Sequence, residues 1–67
     1  STETLASLSA REMQTLKALR DGLSNKGIAI KFGVQEVTVK QHVSAVLRKL
    51  GLKNRTEAAM VARELNL

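Results

Sequence analysis

The stretch EVTVKQHVSAVLRKL, residues 36–50, places hydrogen-bonding and cationic side chains between apolar residues at helical spacing. Projected at about 100° per residue, one face of this helix is apolar and holds Val39, Val43, Val46 and Leu50. The opposite face and its flanks hold Val37, Thr38, Lys40, Gln41, His42, Ser44, Arg48 and Lys49. No acid follows Glu36 in this stretch, so the outer face offers donors and positive charge to an anionic ligand.

Capping residues indicate where the helices that position this face begin and end. Ser9 and Glu12 have the spacing of a capping box, which predicts a first helix at about 9–21. Its inner face would hold Met13, Leu16 and Leu19, and its solvent-facing side would hold Thr15 and Lys17. Ser24 is the predicted cap of a short second helix, with an apolar stripe of Ile28, Ala29 and Phe32.

Gly33 is expected to end the second helix, and the third would begin near Gln35, which is a poor capping residue. The third helix would run to Leu50 and stop at Gly51, with Leu52 folding back on Leu47 as in a Schellman ending. Because only two to four residues separate the second and third helices, the pair is typical of a helix-turn-helix.

Asn54, with Glu57 three residues later, is the predicted cap of a fourth helix whose inward stripe is Ala58, Val61, Ala62 and Leu65. Ala59 and Met60 are left as apolar residues without an evident intramolecular contact. No strand signal is present. The sequence therefore predicts an all-α, four-helix helix-turn-helix domain over residues 8–67, preceded by a linker remnant at 1–7.

Composition narrows the function classes. The chain has 67 residues and no cysteine, which excludes disulfides and thiolate metal sites. No apolar run approaches the length of a membrane span, and no signal peptide is evident, so we expect a cytoplasmic protein without a membrane partner. Residues 22–56 hold seven bases and one acid, a net charge of +6 within a total of +5. Clustered positive charge favours a nucleic-acid partner, and a lysine-rich solvated surface is the alternative.

The second helix of a helix-turn-helix can enter the DNA major groove. In that position Lys40 can donate to guanine, Gln41 can pair with adenine and Val37 can contact a thymine methyl group. Thr38, His42 and Lys49 suit phosphates, which position the protein without reading sequence. The plainer alternatives are a partly buried imidazole at His42, and a solvated last turn at residues 48–49 that is favoured by the helix dipole.

The fragments LSAREMQTLKAL, GLSNKGIAIKFGV, TVKQHVSAVLRKLGL and NRTEAA occur in this order across residues 8–67, and together they resemble the LuxR/FixJ/NarL-type helix-turn-helix domain of bacterial transcription factors. This resemblance implies a C-terminal effector domain that binds double-stranded DNA, with a receiver or ligand-sensing domain before it and a contact with RNA polymerase. It implies base contacts at Lys40, Gln41 and Ser44 and backbone contacts at Thr38 and His42.

Ala59 and Met60 could be plain exposed surface, but the family's last helix commonly serves in dimerisation, so the resemblance favours a weak homodimer through these two residues. Arg48 is expected to join the backbone contacts. The chain departs from the family pattern at Gly27 and Gln35, which weaken the two helix starts but remove no proposed DNA contact.

Two other function classes stay open at this point. The basic face could bind an acidic protein partner, such as an anti-activator or a sigma factor, or it could coat DNA without reading its sequence. One histidine, no cysteine and no paired inner carboxylates argue against an enzyme. The sequence therefore predicts no cofactor and no metal site.

Overall fold

The computed structural model describes residues 5–67, and within that range four helices of eight or more residues follow one another. They are α1 (Ala10–Arg20), α2 (Asn25–Phe32), α3 (Glu36–Leu50) and α4 (Arg55–Glu64). No residue of this range is in a strand. The predicted all-α fold is confirmed, and each helix boundary lies within about two residues of the position expected from the sequence.

The predicted caps form. Ser9 Oγ accepts from Glu12 N at 3.1 Å, and Glu12 Oε1 accepts from Ser9 N at 2.9 Å, which completes the capping box of α1. Ser24 Oγ caps α2 by accepting from Gly27 N at 3.0 Å. Gln35 stands at the N-cap of α3 and makes no side-chain capping bond, as expected of a poor capping residue.

The turn between α2 and α3 is closed by backbone hydrogen bonds. Gly33 has φ 67° and ψ 38°, a left-handed conformation that glycine adopts without strain. Val34 N then donates to Ala29 O at 3.0 Å, and Val34 packs against the core. α3 ends in the same way, because Leu52 N donates to Leu47 O at 2.9 Å beyond the left-handed Gly51. The predicted Schellman ending is confirmed.

The core lies where α1 packs against α3 and α4, and α2 covers α3 from another side. Its buried members come from all four helices: Leu16, Ala18, Leu19, Ile28, Ala29, Val39, Val43, Val46, Ala58 and Ala62. Thr15 was expected on the solvent-facing side of α1 but is fully buried. Its hydroxyl donates to Arg11 O at 2.9 Å, so the polar group is satisfied inside the core.

The segment predicted as a linker remnant, residues 1–7, lies partly outside the described residues. Of the rest, Leu5 packs against the core, and its carbonyl oxygen accepts from Leu8 N at 3.1 Å. The boundary at residue 8 stays a prediction, but Leu5 contributes a core contact that the sequence pattern did not indicate. Among residues 5–67, no helix has both the length and the apolar character of a membrane span.

Candidate nucleic-acid interface

α3 presents its polar strip to solvent because its apolar face is fixed by the core. Val39 and Val46 are fully buried, and Val43 is nearly so. The other side of the helix is exposed at Val37, Lys40, Gln41, Ser44 and Arg48. Val37 keeps 60% of its surface exposed, which is high for an apolar side chain and leaves its methyl groups accessible to a ligand. The structure thus brings these five predicted contact residues together on one face.

The flank of α3 is less accessible. Thr38, His42 and Lys49 are half-buried, so only part of each side chain can reach a ligand. Within residues 5–67, no side-chain hydrogen bond engages Lys40, Gln41, Ser44 or Arg48. The fold therefore makes no use of their polar groups, which are available to an external partner. Base and phosphate contacts at all these residues remain predictions.

Lys49 differs from its neighbours because its ammonium already has partners. Its Nζ lies 2.7 Å from Glu12 Oε1 and 3.2 Å from Ser7 O, across a sequence separation of about forty residues. The hydrogen bond from Lys49, together with that from the Ser9 backbone, holds the pKa of Glu12 below its usual range. The pair joins the end of α3 to the start of α1, and it competes with the phosphate contact predicted for Lys49.

α4 is rotated from the orientation expected from its stripe. Ala59 was expected at the surface but is only 8% exposed, whereas Leu65 was expected inside and is 50% exposed. The buried arc is Ala58, Ala59 and Ala62, a rotation of about 50° at 100° per residue. The chain then turns through Asn66, and Leu67 packs on the core. Met60 is 52% exposed, as the sequence predicted.

Arg55 is one of the seven bases counted in residues 22–56, but its guanidinium is bound within the fold. Its Nη1 donates to Asn25 Oδ1 at 2.7 Å and its Nη2 donates to Leu23 O at 2.9 Å. These bonds tie the start of α4 to the start of α2, and so help to place the helix-turn-helix. No local pattern could have indicated this role, because the partners lie about thirty residues away.

We call the five exposed residues of α3 the exposed strip: Val37, Lys40, Gln41, Ser44 and Arg48. The fold and this strip define a helix-turn-helix domain, because α2 and α3 are joined by a three-residue turn and α3 displays polar and cationic groups without an internal partner among residues 5–67. Residues 6–62 match the family described as bacterial regulatory proteins, luxR family. The chain belongs to this family.

Relatives and a solved structure agree with this assignment. The chain is 41% identical over 64 residues to the glycerol metabolism activator of Pseudomonas putida, covering 96% of this chain and 29% of the relative. It is 46% identical over 61 residues to the DNA-binding transcriptional activator DevR/DosR of Mycobacterium tuberculosis, covering 91% of this chain and 28% of the relative. The crystal structure of the response regulator ChrA of a heme-sensing two-component system superposes with a TM-score of 0.81 at 45% identity, covering 90% of this chain and 30% of that chain.

Proposed function

We propose that this chain is a sequence-specific DNA-binding domain of a bacterial transcription regulator and that α3 lies in the DNA major groove. The observation that carries the proposal is the exposed strip of α3, whose polar groups have no partner among residues 5–67. α3 is about 22 Å long at 1.5 Å per residue, and the major groove, about 12 Å wide, admits a helix of this kind.

Each contact follows from the chemistry of the side chain and from its place on α3. Lys40 donates to guanine O6 and N7, and Gln41 pairs with adenine through its amide. Ser44 contacts a neighbouring base edge, and Val37 covers a thymine methyl group. Thr38, His42 and Arg48 contact the backbone from the edges of the strip and fix the register of the helix. Lys49 joins them only where its bond to Glu12 is broken or shared.

The chain spans less than a third of the length of the relatives described above. We therefore propose that it serves as the effector domain of a larger regulator that also carries a receiver or ligand-sensing domain. In that arrangement DNA binding brings the domain to a promoter in the cytoplasm, where RNA polymerase is a further partner. We propose no catalytic role and no cofactor.

The dimer contact is proposed at Met60 on the outer face of α4. One short helix per subunit buries far less than the roughly 1,600 Å² of a standard specific interface. The domain is therefore monomeric on its own and pairs when two half-sites or a partner domain hold two copies together. A two-fold contact of this kind places the half-sites about one helical turn apart, with matching symmetry. Ala59, being buried, lies beneath this contact rather than in it.

The test is selection of binding sites from random duplexes at several salt concentrations. We expect enrichment of one short sequence, with affinity that falls steeply as salt rises because each neutralised phosphate releases a counterion. Salt-sensitive binding without enrichment would indicate a domain that coats DNA. Failure to bind any duplex, combined with binding to an acidic protein such as a sigma factor, would overturn the proposal.

A further inference from the structure

A second cationic surface lies between α1 and α2, and no residue of α3 lines it. It is an open groove of about 460 Å³ whose charged lining consists of Arg11, Lys17, Arg20, Asp21 and Lys31, with Phe32 as its aromatic wall. None of the groove residues belongs to α3 or α4. α1 contacts those two helices through its buried side, which includes Leu16 and Leu19, so its polar side remains open to a ligand.

The groove carries more positive charge than the fold neutralises. Its single acid, Asp21, is held by the adjacent Arg20 through bonds of 3.0 and 3.2 Å. That hydrogen bond and the nearby charge of Lys31 hold the pKa of Asp21 below its usual range, so the carboxylate stays ionised and offsets one cation. Among the described residues, no acid forms an ion pair with Arg11, Lys17 or Lys31. Like charges around one groove repel each other, so the positive charge that remains there favours an anionic partner.

Phe32 gives the groove an apolar surface beside its cations. The Arg11 guanidinium lies 4.5 Å from the centroid of the Phe32 ring, which holds the cation in place by a cation–π contact. A stacked guanidinium keeps its N–H edge free to donate to a carboxylate in bidentate geometry. Gln14 adds an amide that can bond to a peptide backbone.

We propose that this groove binds an acidic protein segment in which carboxylates alternate with apolar side chains. Three cations without an acidic partner attract the carboxylates, and the part of the Phe32 ring that Arg11 and the core leave exposed contacts an apolar side chain of the partner. A DNA backbone supplies charge but no such side chain, so a protein segment fits the groove better. Because no residue of α3 lines the groove, the domain can hold this partner while α3 is occupied, and the inference does not depend on the proposed function.

The signal in the sequence was the spacing of Arg11, Gln14 and Lys17, three residues apart in α1. The net charge of residues 1–21 did not reveal this cluster of cations, because the segment contains equal numbers of bases and acids. In the fold Glu12 is bound by Lys49 and Asp21 by Arg20, which leaves Arg11 and Lys17 without an acidic partner among residues 5–67.

The experiment titrates the ¹⁵N-labelled chain with a capped peptide of alternating glutamate and leucine. We expect saturable amide shifts around Arg11, Lys17 and Lys31, and weaker binding of a polyglutamate peptide of the same charge. The test variant combines Lys17→Glu with Lys31→Glu. The matched control combines Lys26→Glu with Lys53→Glu, which changes the net charge equally at exposed positions outside the groove.

We expect the groove variant to bind the alternating peptide at least about tenfold more weakly, because like charges then face each other across the contact. The control variant should stay within about twofold of the parent, because neither Lys26 nor Lys53 lines the groove and salt screens charges that lie outside the contact. The proposal is overturned if the shifts map to α3, or if both variants weaken equally. It is also overturned if the groove variant loses duplex DNA binding beyond the control, since a DNA backbone would then occupy the groove. The peptide titration contains no DNA, so its outcome is separate from that of the proposed function.

Discussion

Arg48 and Lys49 are adjacent cations in the last turn of α3, and the fold treats them differently. Arg48 is exposed and has no ion-pair partner within residues 5–67, whereas Lys49 is bound to Glu12. Arg48→Ala should therefore shallow the slope of log affinity against log salt by about one, the effect of losing one phosphate contact. Lys49→Ala should leave that slope unchanged. Anisotropy titrations with duplex DNA across a salt series measure both slopes.

The contrary result would be an equal reduction in slope for both variants. Lys49 would then leave Glu12 in the complex and contact a phosphate, as the sequence alone predicted.

The Glu12–Lys49 pair also makes stability depend on pH. The pKa of Glu12 is lowered in the folded chain from its ordinary value of 4.5. The ionised carboxylate therefore contributes fully to the free energy of unfolding above pH 4.5, and this contribution is lost as the pH falls through the lowered pKa of the folded chain. Glu12→Gln should therefore unfold more easily than the parent at about pH 7, and the difference should narrow by about pH 3. Urea unfolding at both pH values measures this. If the difference in free energy of unfolding between Glu12→Gln and the parent is the same at both pH values, the charge of the carboxylate contributes nothing to stability.

At the scale of single helices, α2 is weakened at its first turn by Gly27. A Cβ built there would lie 3.4 Å from Ser24 Oγ and 3.7 Å from Leu23 Cδ2, which is ordinary contact. Gly27→Ala should therefore raise the free energy of unfolding by about 0.5–1 kcal/mol, because alanine loses less backbone entropy in a helix. Thermal and urea unfolding followed by circular dichroism measure the change.

Gly33→Ala is the matched control for this prediction. A Cβ at Gly33 would meet nothing within 4 Å, but its φ of +67° is left-handed. The same substitution should here cost about 1–2 kcal/mol through backbone strain alone. Equal effects of the two substitutions would contradict the account of the α2–α3 turn.

The sequence was most informative where structure depends on near neighbours. Caps such as Ser9 and Asn54, the stop at Gly33 and the exposed strip of α3 depend on residues within one or two helical turns, so pattern and spacing predicted them. The rotation of α4 could not be predicted in this way, because small alanines let either side of the helix approach α1. The bonds of Lys49 and Arg55 also join residues thirty or more positions apart, which no local pattern reports.

At the scale of the whole molecule, the dimer contact proposed at Met60 predicts that two copies bind neighbouring half-sites cooperatively. Met60→Glu places a charge on the outer face of α4, where Met60 is 52% exposed, so the monomer should stay folded. It should abolish cooperative occupancy of a duplex with two half-sites, because a two-fold contact sets the two charges against each other. Binding to one half-site should change little. Gel-shift titrations on one- and two-site duplexes separate the two effects.

Leu65→Glu is the comparison, since Leu65 follows directly after the end of α4 and is about as exposed as Met60. Loss of cooperativity in Met60→Glu alone supports the proposed face, and loss in Leu65→Glu alone would move the contact to the C-terminal end of α4. Ala59→Glu is unsuitable as a probe because it would bury a carboxylate. Full cooperativity in both variants would exclude α4 as the dimer contact.

The central claim is that the exposed strip of α3 reads base sequence, and parallel binding-site selection by the parent, Lys40→Ala and Gln41→Ala tests it most directly. All three should fold alike, since neither residue touches the core. We expect each variant to lose preference at one position of the selected site, at a cost of about 1–3 kcal/mol on the parental sequence. Lys53→Ala, an exposed control outside α3, should select the parental site unchanged. Identical selected sites for the parent and both α3 variants would contradict the claim.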